Sequence, residues 1–199
     1  MKNSLTIFAF FVAGLLLSIF RKLPGFLMNT DWSSVVLYAL LFLIGIALGG
    51  DPNMKKMFRQ IDYRILLVPV GVAVGTLTGS LAVSAVLPLT GRETMAVGAG
   101  FGWYSLSAVF ITRLHSETLG IVALLSNVIR EILTLLATPF LVKYFGKLAG
   151  IAAGGATAMD TTLPVITRYS GKEFALVSIF SGIALSLVVP FLVTFILEF

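Results

Sequence analysis

Glu131 stands in the middle of an apolar stretch that runs from Thr118 to Tyr144, with Arg130 beside it and Asn127 one helical turn earlier. An ionisable side chain at bilayer depth costs roughly 2.5–3.5 kcal/mol on insertion scales, so it is expected to face a cavity or a partner. For a lone carboxyl group in such a place, the available chemistry is taking up and releasing a proton or a cation. Asn127, at i and i+4, shares its face. Arg130 could grip a carboxylate in bidentate fashion. Equally, Glu131 could belong to a structural ion pair, and Arg130 could serve to neutralise Asp160.

Asp160 follows Gly154 and Gly155 and precedes Thr161 and Thr162. Hydroxyls, carbonyls and one carboxylate in this order could coordinate an ammonium or a cation. The same residues could open a half-helix as a cap. Gly98, Gly100 and Gly102 alternate, but GxGxG is not a dinucleotide fingerprint, and no strand–turn–helix unit surrounds it. These glycines suit close backbone packing or a loop lining a substrate path. Trp103 and Tyr104 could offer a cation–π face to an ammonium, with Ser105 beside them, or could pack at the membrane interface. His115, the single histidine, falls in a charged turn and reads as a solvated loop residue rather than a proton shuttle.

The elements that must hold these groups are membrane helices. The chain is 58% hydrophobic and 12% charged, with a mean hydropathy of +1.02. A soluble domain carries about 25% charged residues. The pattern predicts an all-α integral membrane protein forming a single domain over 1–199. Apolar stretches predict spans over 5–20, 32–50, 65–88, 118–144 and 174–197, a crossing needing about 20 residues. The stretch after Lys2 ends at Arg21-Lys22 without a small-residue cleavage site, so it reads as a retained span. Two further segments, 94–112 and 150–167, are too rich in glycine and polar groups for straight lipid-facing helices. Irregular backbone at membrane depth is tolerated where protein buries it or it lines a cavity. These two are expected to be broken or re-entrant hairpins.

The two segments resemble copies. Ile111-Thr112-Arg113 and Ile166-Thr167-Arg168 are 55 positions apart, and at that step Gly100 matches Gly155, Gly91 matches Gly146, Val122 matches Val177 and Ser126 matches Ser181. If each copy is a span plus a re-entrant hairpin, the copies have inverted topology, as in many secondary transporters. Charge favours this. With re-entrant hairpins and the N-terminus inside, nine Lys/Arg lie inside and four outside, against eight and five if every segment crosses, Arg130 being left out of both. The positive-inside rule prefers the first. Five spans plus two hairpins place the C-terminus outside.

Three stretches, GAGFGWYSLS (Gly98 to Ser107), LLSNVIREI (Leu124 to Ile132) and AGGATAMDTTLPVI (Ala153 to Ile166), resemble the signatures of the LysO lysine exporter family. The resemblance covers essentially the whole chain. It implies a multi-pass protein of the bacterial inner membrane that exports lysine and its toxic analogues. Family function is attributed to a pair of membrane-embedded carboxylates, and Glu131 corresponds to one by its place in the motif. The other belongs to an N-terminal region of the family pattern that precedes the first residue of this chain. That departure implies a partner, either a small companion membrane subunit or a second copy.

Taken together, the residues and the resemblance predict a secondary transporter exporting L-lysine, with proton antiport as the energy source because no ATP-binding loop is visible. Proton and lysine would compete for Glu131. No cofactor, metal site or nucleic-acid surface is expected, nor an enzyme, since no nucleophile–base pair or ligand cluster stands out. Two alternatives remain open at this point. One is a carrier of another cationic solute or a sodium/proton exchanger. The other is a holin-like or other non-transport membrane subunit.

Overall fold

The computed structural model describes residues 63–198, together with helical positions at Val35, Phe42 and Ile46. The expected spans over 5–20 and 32–50 lie outside the described residues. By its contacts the chain forms two compact units, 1–56 and 57–199. Every element named below belongs to the second.

All the described elements are helical. They run α1 (Tyr63–Val83), α2 (Gly91–Gly98), α3 (Tyr104–Leu114), α4 (Glu117–Phe145), α5 (Ala149–Gly154), α6 (Leu163–Ser170) and α7 (Ala175–Glu198), with 3-10 turns at Gly155–Met159 and Lys172–Phe174. Three helices, over Ile65–Val83, Glu117–Phe145 and Lys172–Glu198, are long and apolar enough to cross a membrane. Many of their large apolar side chains point outward, among them Leu67, Leu136, Phe140 and Phe191. In water that exposure would be costly, and in lipid it is the expected surface. This is a multi-pass membrane protein.

Local sequence explains where the elements begin and stop. α1 ends at Val83, short of the expected 88, and turns carry the chain on to Pro88, which disfavours helical backbone in the residue before it and supplies no N–H. Thr90 then opens α2 with a capping box: its N–H donates to Glu93 Oε2 at 2.6 Å, and its Oγ1 accepts from Glu93 N at 3.3 Å. Ser116 caps α4 by accepting from Leu119 N at 3.2 Å. Gly146, with φ +91, and Gly171, with φ +112, follow the last residues of α4 and α6. Such backbone favours glycine.

Each broken segment folds back on itself. In the first, Glu93 at the start of α2 meets His115 just past α3, with Oε1 and Nε2 2.8 Å apart. In the second, Ser170 Oγ at the end of α6 donates to the carbonyl of Lys147 before α5 at 2.7 Å. Lys147 Nζ reaches Glu173 Oε1 at 3.3 Å. His115 lies just before the first turn of α4 and Lys147 just after its last, so the two mouths lie at opposite ends of that helix. The two breaks meet in between, where Ala156 N donates to the Phe101 carbonyl at 2.8 Å.

Packing at this meeting point is tight. Phe101 is fully buried with φ +47, and Gly102 follows with φ +100. Gly155 has φ +61, and a Cβ there would overlap the Phe101 carbonyl oxygen. Ile111 in α3 and Ile166 in α6 are both fully buried. Ile166 joins Ile151 and Ala158 in a core backed by Val68, Phe174 and Val177.

Candidate functional site

The centre of α4 is where the polar groups collect. Glu131 sits fourteen residues from each end of this 29-residue helix. At about 100° of rotation per residue, Arg130 and Glu131 leave the axis about 100° apart. Asn127 projects between them, and Glu131 is about 40° from it. The buried stripe of α4, with Ala123, Asn127, Thr134 and Thr138, therefore has Arg130 on one flank and Glu131 on the other.

Asn127 holds the first break. Its Oδ1 accepts from Gly102 N at 2.7 Å, and its Nδ2 donates to the carbonyls of Val97 at 3.2 Å and Ala123 at 2.9 Å. Both amide hydrogens are thus used, and the side chain is 3% exposed. Gly100 must be glycine here, since a Cβ would stand 2.6 Å from both Asn127 Nδ2 and Ser107 Oγ. At the 55-residue step Asn127 becomes Gly182 on α7. A Cβ at Gly182 would press on Ala156 O and Met159, so α7 meets the second break with bare backbone.

Arg130 holds the second break. Its Nε donates to Ala153 O at 2.9 Å and its Nη2 to Ala152 O at 3.1 Å. These carbonyls belong to the last turn of α5, where unpaired acceptors and the helix dipole favour a cation. Its Nη1 reaches Thr76 Oγ1 on α1 at 3.4 Å. Gly155 lets this happen: a Cβ there would stand 3.0 Å from Nη2.

Glu131 is half-buried and has no hydrogen-bond or ion-pair partner among the described residues. Arg130 takes carbonyl oxygens rather than the carboxylate of Asp160. Asp160 is exposed, and its Oδ1 accepts from Thr161 N at 2.6 Å and Thr161 Oγ1 at 3.4 Å. It precedes the helix-opening residue of α6, Thr162, whose own side chain makes no cap bond to that helix. Trp103 is half-buried and stands at the start of α3, where its carbonyl accepts from Ser107 Oγ at 2.9 Å. Tyr104 and Ser105 are exposed. The structure therefore brings Asn127, Arg130, Gly98, Gly100, Gly102, Gly154 and Gly155 together, and leaves Asp160, Thr161, Tyr104 and Ser105 outside that hydrogen-bond network. Among the described residues no group of His, Asp and Glu could hold a metal ion.

Two features were not anticipated. Thr76 and the carbonyls of Ala152 and Ala153 are Arg130's partners, and backbone acceptors carry no side-chain signature. His115, exposed in the turn after α3, is also tied to Glu93. The Glu93 carboxyl is held below its ordinary range, first by the backbone N–H of Thr90 and then by His115. The signal for Glu93 was legible as Thr90-x-x-Glu93, a capping box.

Residues 8–197 match the family described as Lysine exporter LysO. A curated protein named "Lysine exporter LysO" from Escherichia coli (strain K12) is 34% identical over 166 residues, which is 83% of this chain and 55% of that protein. One named "Putative lysine exporter" from Haemophilus influenzae is 31% identical over 165 residues, 82% of this chain and 83% of that protein. The chain thus spans about half the length of the first relative. No solved structure matches.

Proposed function

The chain belongs to the lysine exporter LysO family, and from that membership we propose that it is a secondary transporter moving L-lysine and lysine analogues outward across the bacterial inner membrane in exchange for protons. The observation that carries the site is Glu131, a carboxyl group at the midpoint of a membrane helix with no partner among the described residues. A group placed there for structure would be expected to be paired. Here it is available to a proton or to the ammonium of lysine, but not to both. Inward-facing and deprotonated, it binds the substrate; outward-facing, a proton displaces it.

The two broken segments are proposed to be re-entrant hairpins entering from opposite faces, related as an inverted repeat. The paired mouths and the contact between Phe101 and Ala156 support this. Within that frame Asn127 is a positioning residue, because its amide is used up on the first hairpin. Trp103, Tyr104, Ser105, Asp160 and Thr161 are proposed to line the approaches. Protons are the proposed coupling ion, and a companion membrane subunit or a second copy of the chain the proposed partner. The same carboxyl chemistry would serve a carrier of another cationic solute.

Lysine efflux from vesicles tests this reading. Efflux should accelerate when a pH gradient is imposed and slow when it is collapsed. Efflux of an unrelated cation in place of lysine would move the reading to the other carrier.

A further inference from the structure

The two mouths differ in charge. Around the first, Arg92 and Arg113 are matched by Glu93 and Glu117. Around the second, Lys143, Lys147, Arg168 and Lys172, all exposed, meet one carboxylate, that of Glu173. The helix dipole accounts for part of this, because Lys143 and Arg168 stand in the last turns of α4 and α6, where a cation is favoured. It does not account for Lys147 and Lys172. They precede the first turns of α5 and α7, the helix ends at which a cation is disfavoured.

The fold gathers these groups. Ser170, between Arg168 and Lys172 in sequence, donates to the Lys147 carbonyl at 2.7 Å. Lys147 Nζ reaches Glu173 Oε1 at 3.3 Å and stands 5.5 Å from the centre of the Phe174 ring. Lys143 Nζ lies 5.3 Å from the ring of Tyr144, and the Arg168 guanidinium 5.8 Å from that of Tyr169. Both tyrosines are exposed, as is Phe145 between Tyr144 and the mouth. Exposed aromatic rings beside long cations are the pattern of the membrane–water interface, where the ring sits at headgroup level and the charge reaches outward. That is the depth of the lipid phosphates.

We propose that the second mouth is a docking surface for anionic phospholipid headgroups, on which a lipid phosphate takes the place of Glu173 at Lys147, with Arg168 and Lys172 flanking it. Two observations favour the exchange. The pair of Lys147 and Glu173 is open to solvent, with both side chains more than half exposed, and such pairs hold weakly. Lys172 has no ion-pair partner among the described residues, so its charge is left for a second phosphate oxygen. Clusters of Lys and Arg at the membrane surface attract anionic lipids in this way. A headgroup held by Lys147 before α5 and by Arg168 at the end of α6 would clasp both legs of the second broken segment. The first mouth, whose legs Glu93 and His115 tie, should not respond to lipid charge. The proposal goes beyond the transporter reading and does not depend on Glu131.

Thermal unfolding of the full chain in a neutral detergent tests this. Added phosphatidylglycerol should raise the unfolding temperature by several degrees, while phosphatidylcholine and inorganic phosphate should leave it in place. Lys147→Gln combined with Lys172→Gln should raise several-fold the phosphatidylglycerol concentration that gives half the shift, and Arg92→Gln at the first mouth should leave that concentration unchanged. Glu173→Gln frees Lys147 and should lower it. If the double variant does not fold, Glu173→Gln decides. An equal shift with phosphatidylcholine would show a general lipid effect, and an equal shift with inorganic phosphate a site for free anions. Either result would overturn the proposal, as would the absence of a shift or one indifferent to Lys147, Lys172 and Glu173.

Discussion

Asn127 and Arg130, three positions apart on α4, hold two different breaks in the chain: Asn127 accepts from Gly102 N at 2.7 Å, and Arg130 Nε donates to Ala153 O at 2.9 Å. One helix thus fixes both broken segments at its midpoint. The tie is completed between the breaks themselves by Ala156 N and Phe101 O. Glu131, next to Arg130 in sequence, has no hydrogen-bond or ion-pair partner among the described residues.

The meeting of the breaks makes a prediction about glycine. Gly155→Ala places a methyl against the Phe101 carbonyl at a backbone φ of +61. It should destabilise the protein strongly, by more than the roughly 1 kcal/mol that separates glycine from alanine in ordinary helix. Gly71→Ala, in α1 with nothing within 4 Å, should be neutral or slightly stabilising. Thermal unfolding of the two variants in detergent checks the contrast. Equal effects would mean that the breaks do not pack as described.

The first mouth should respond to acid. Glu93 is held below its ordinary value of 4.5 by Thr90 and His115. A depressed carboxyl contributes stability that is present above the unfolded value and is lost as pH falls through the folded one. Glu93→Gln should therefore be less stable than the native chain at neutral pH, and the two should converge in acid below 4.5. Unfolding measured across pH tests this. A constant difference at every pH would show that the charge of Glu93 is not what closes the mouth.

Topology supplies the third prediction. Cysteines introduced singly at Arg92 and Arg113 should label from the same face of the membrane, and those at Lys147 and Arg168 together from the other. Positions 92 and 113 labelling from opposite faces would mean that the first broken segment crosses, and the inverted pair of hairpins would be lost.

Much of this architecture was legible in the residues. Uninterrupted apolar runs marked α1, α4 and α7 to within a few positions, because lipid imposes length and composition on a crossing helix. Gly98, Gly100, Gly102, Gly154 and Gly155 marked the breaks, because weakened helix at membrane depth must be covered by protein. Polar residues at the centre of α4 marked the groups that hold the two breaks. Less legible was what those residues do there. Asn127 and Arg130 invite a substrate role, yet their described partners are largely backbone groups on distant segments, and any residue type offers those. The tie between Glu93 and His115 spans 22 residues and depends on the first segment turning back, which charge counting only favoured.

Glu131 is proposed as the carboxyl at which proton and lysine compete. Glu131→Gln preserves size and hydrogen bonding while removing the titration. A neutral amide is no costlier in the membrane than an ionised acid, so the variant should insert normally. Glu131→Asp should keep partial activity with a shifted pH dependence, and Asn127→Ala should weaken transport less than Glu131→Gln. The direct measurement is lysine uptake into everted vesicles, driven by an imposed pH gradient and normalised to protein level. Uptake should collapse in Glu131→Gln at every pH; uptake at the native rate with the native pH dependence would remove Glu131 from the transport step.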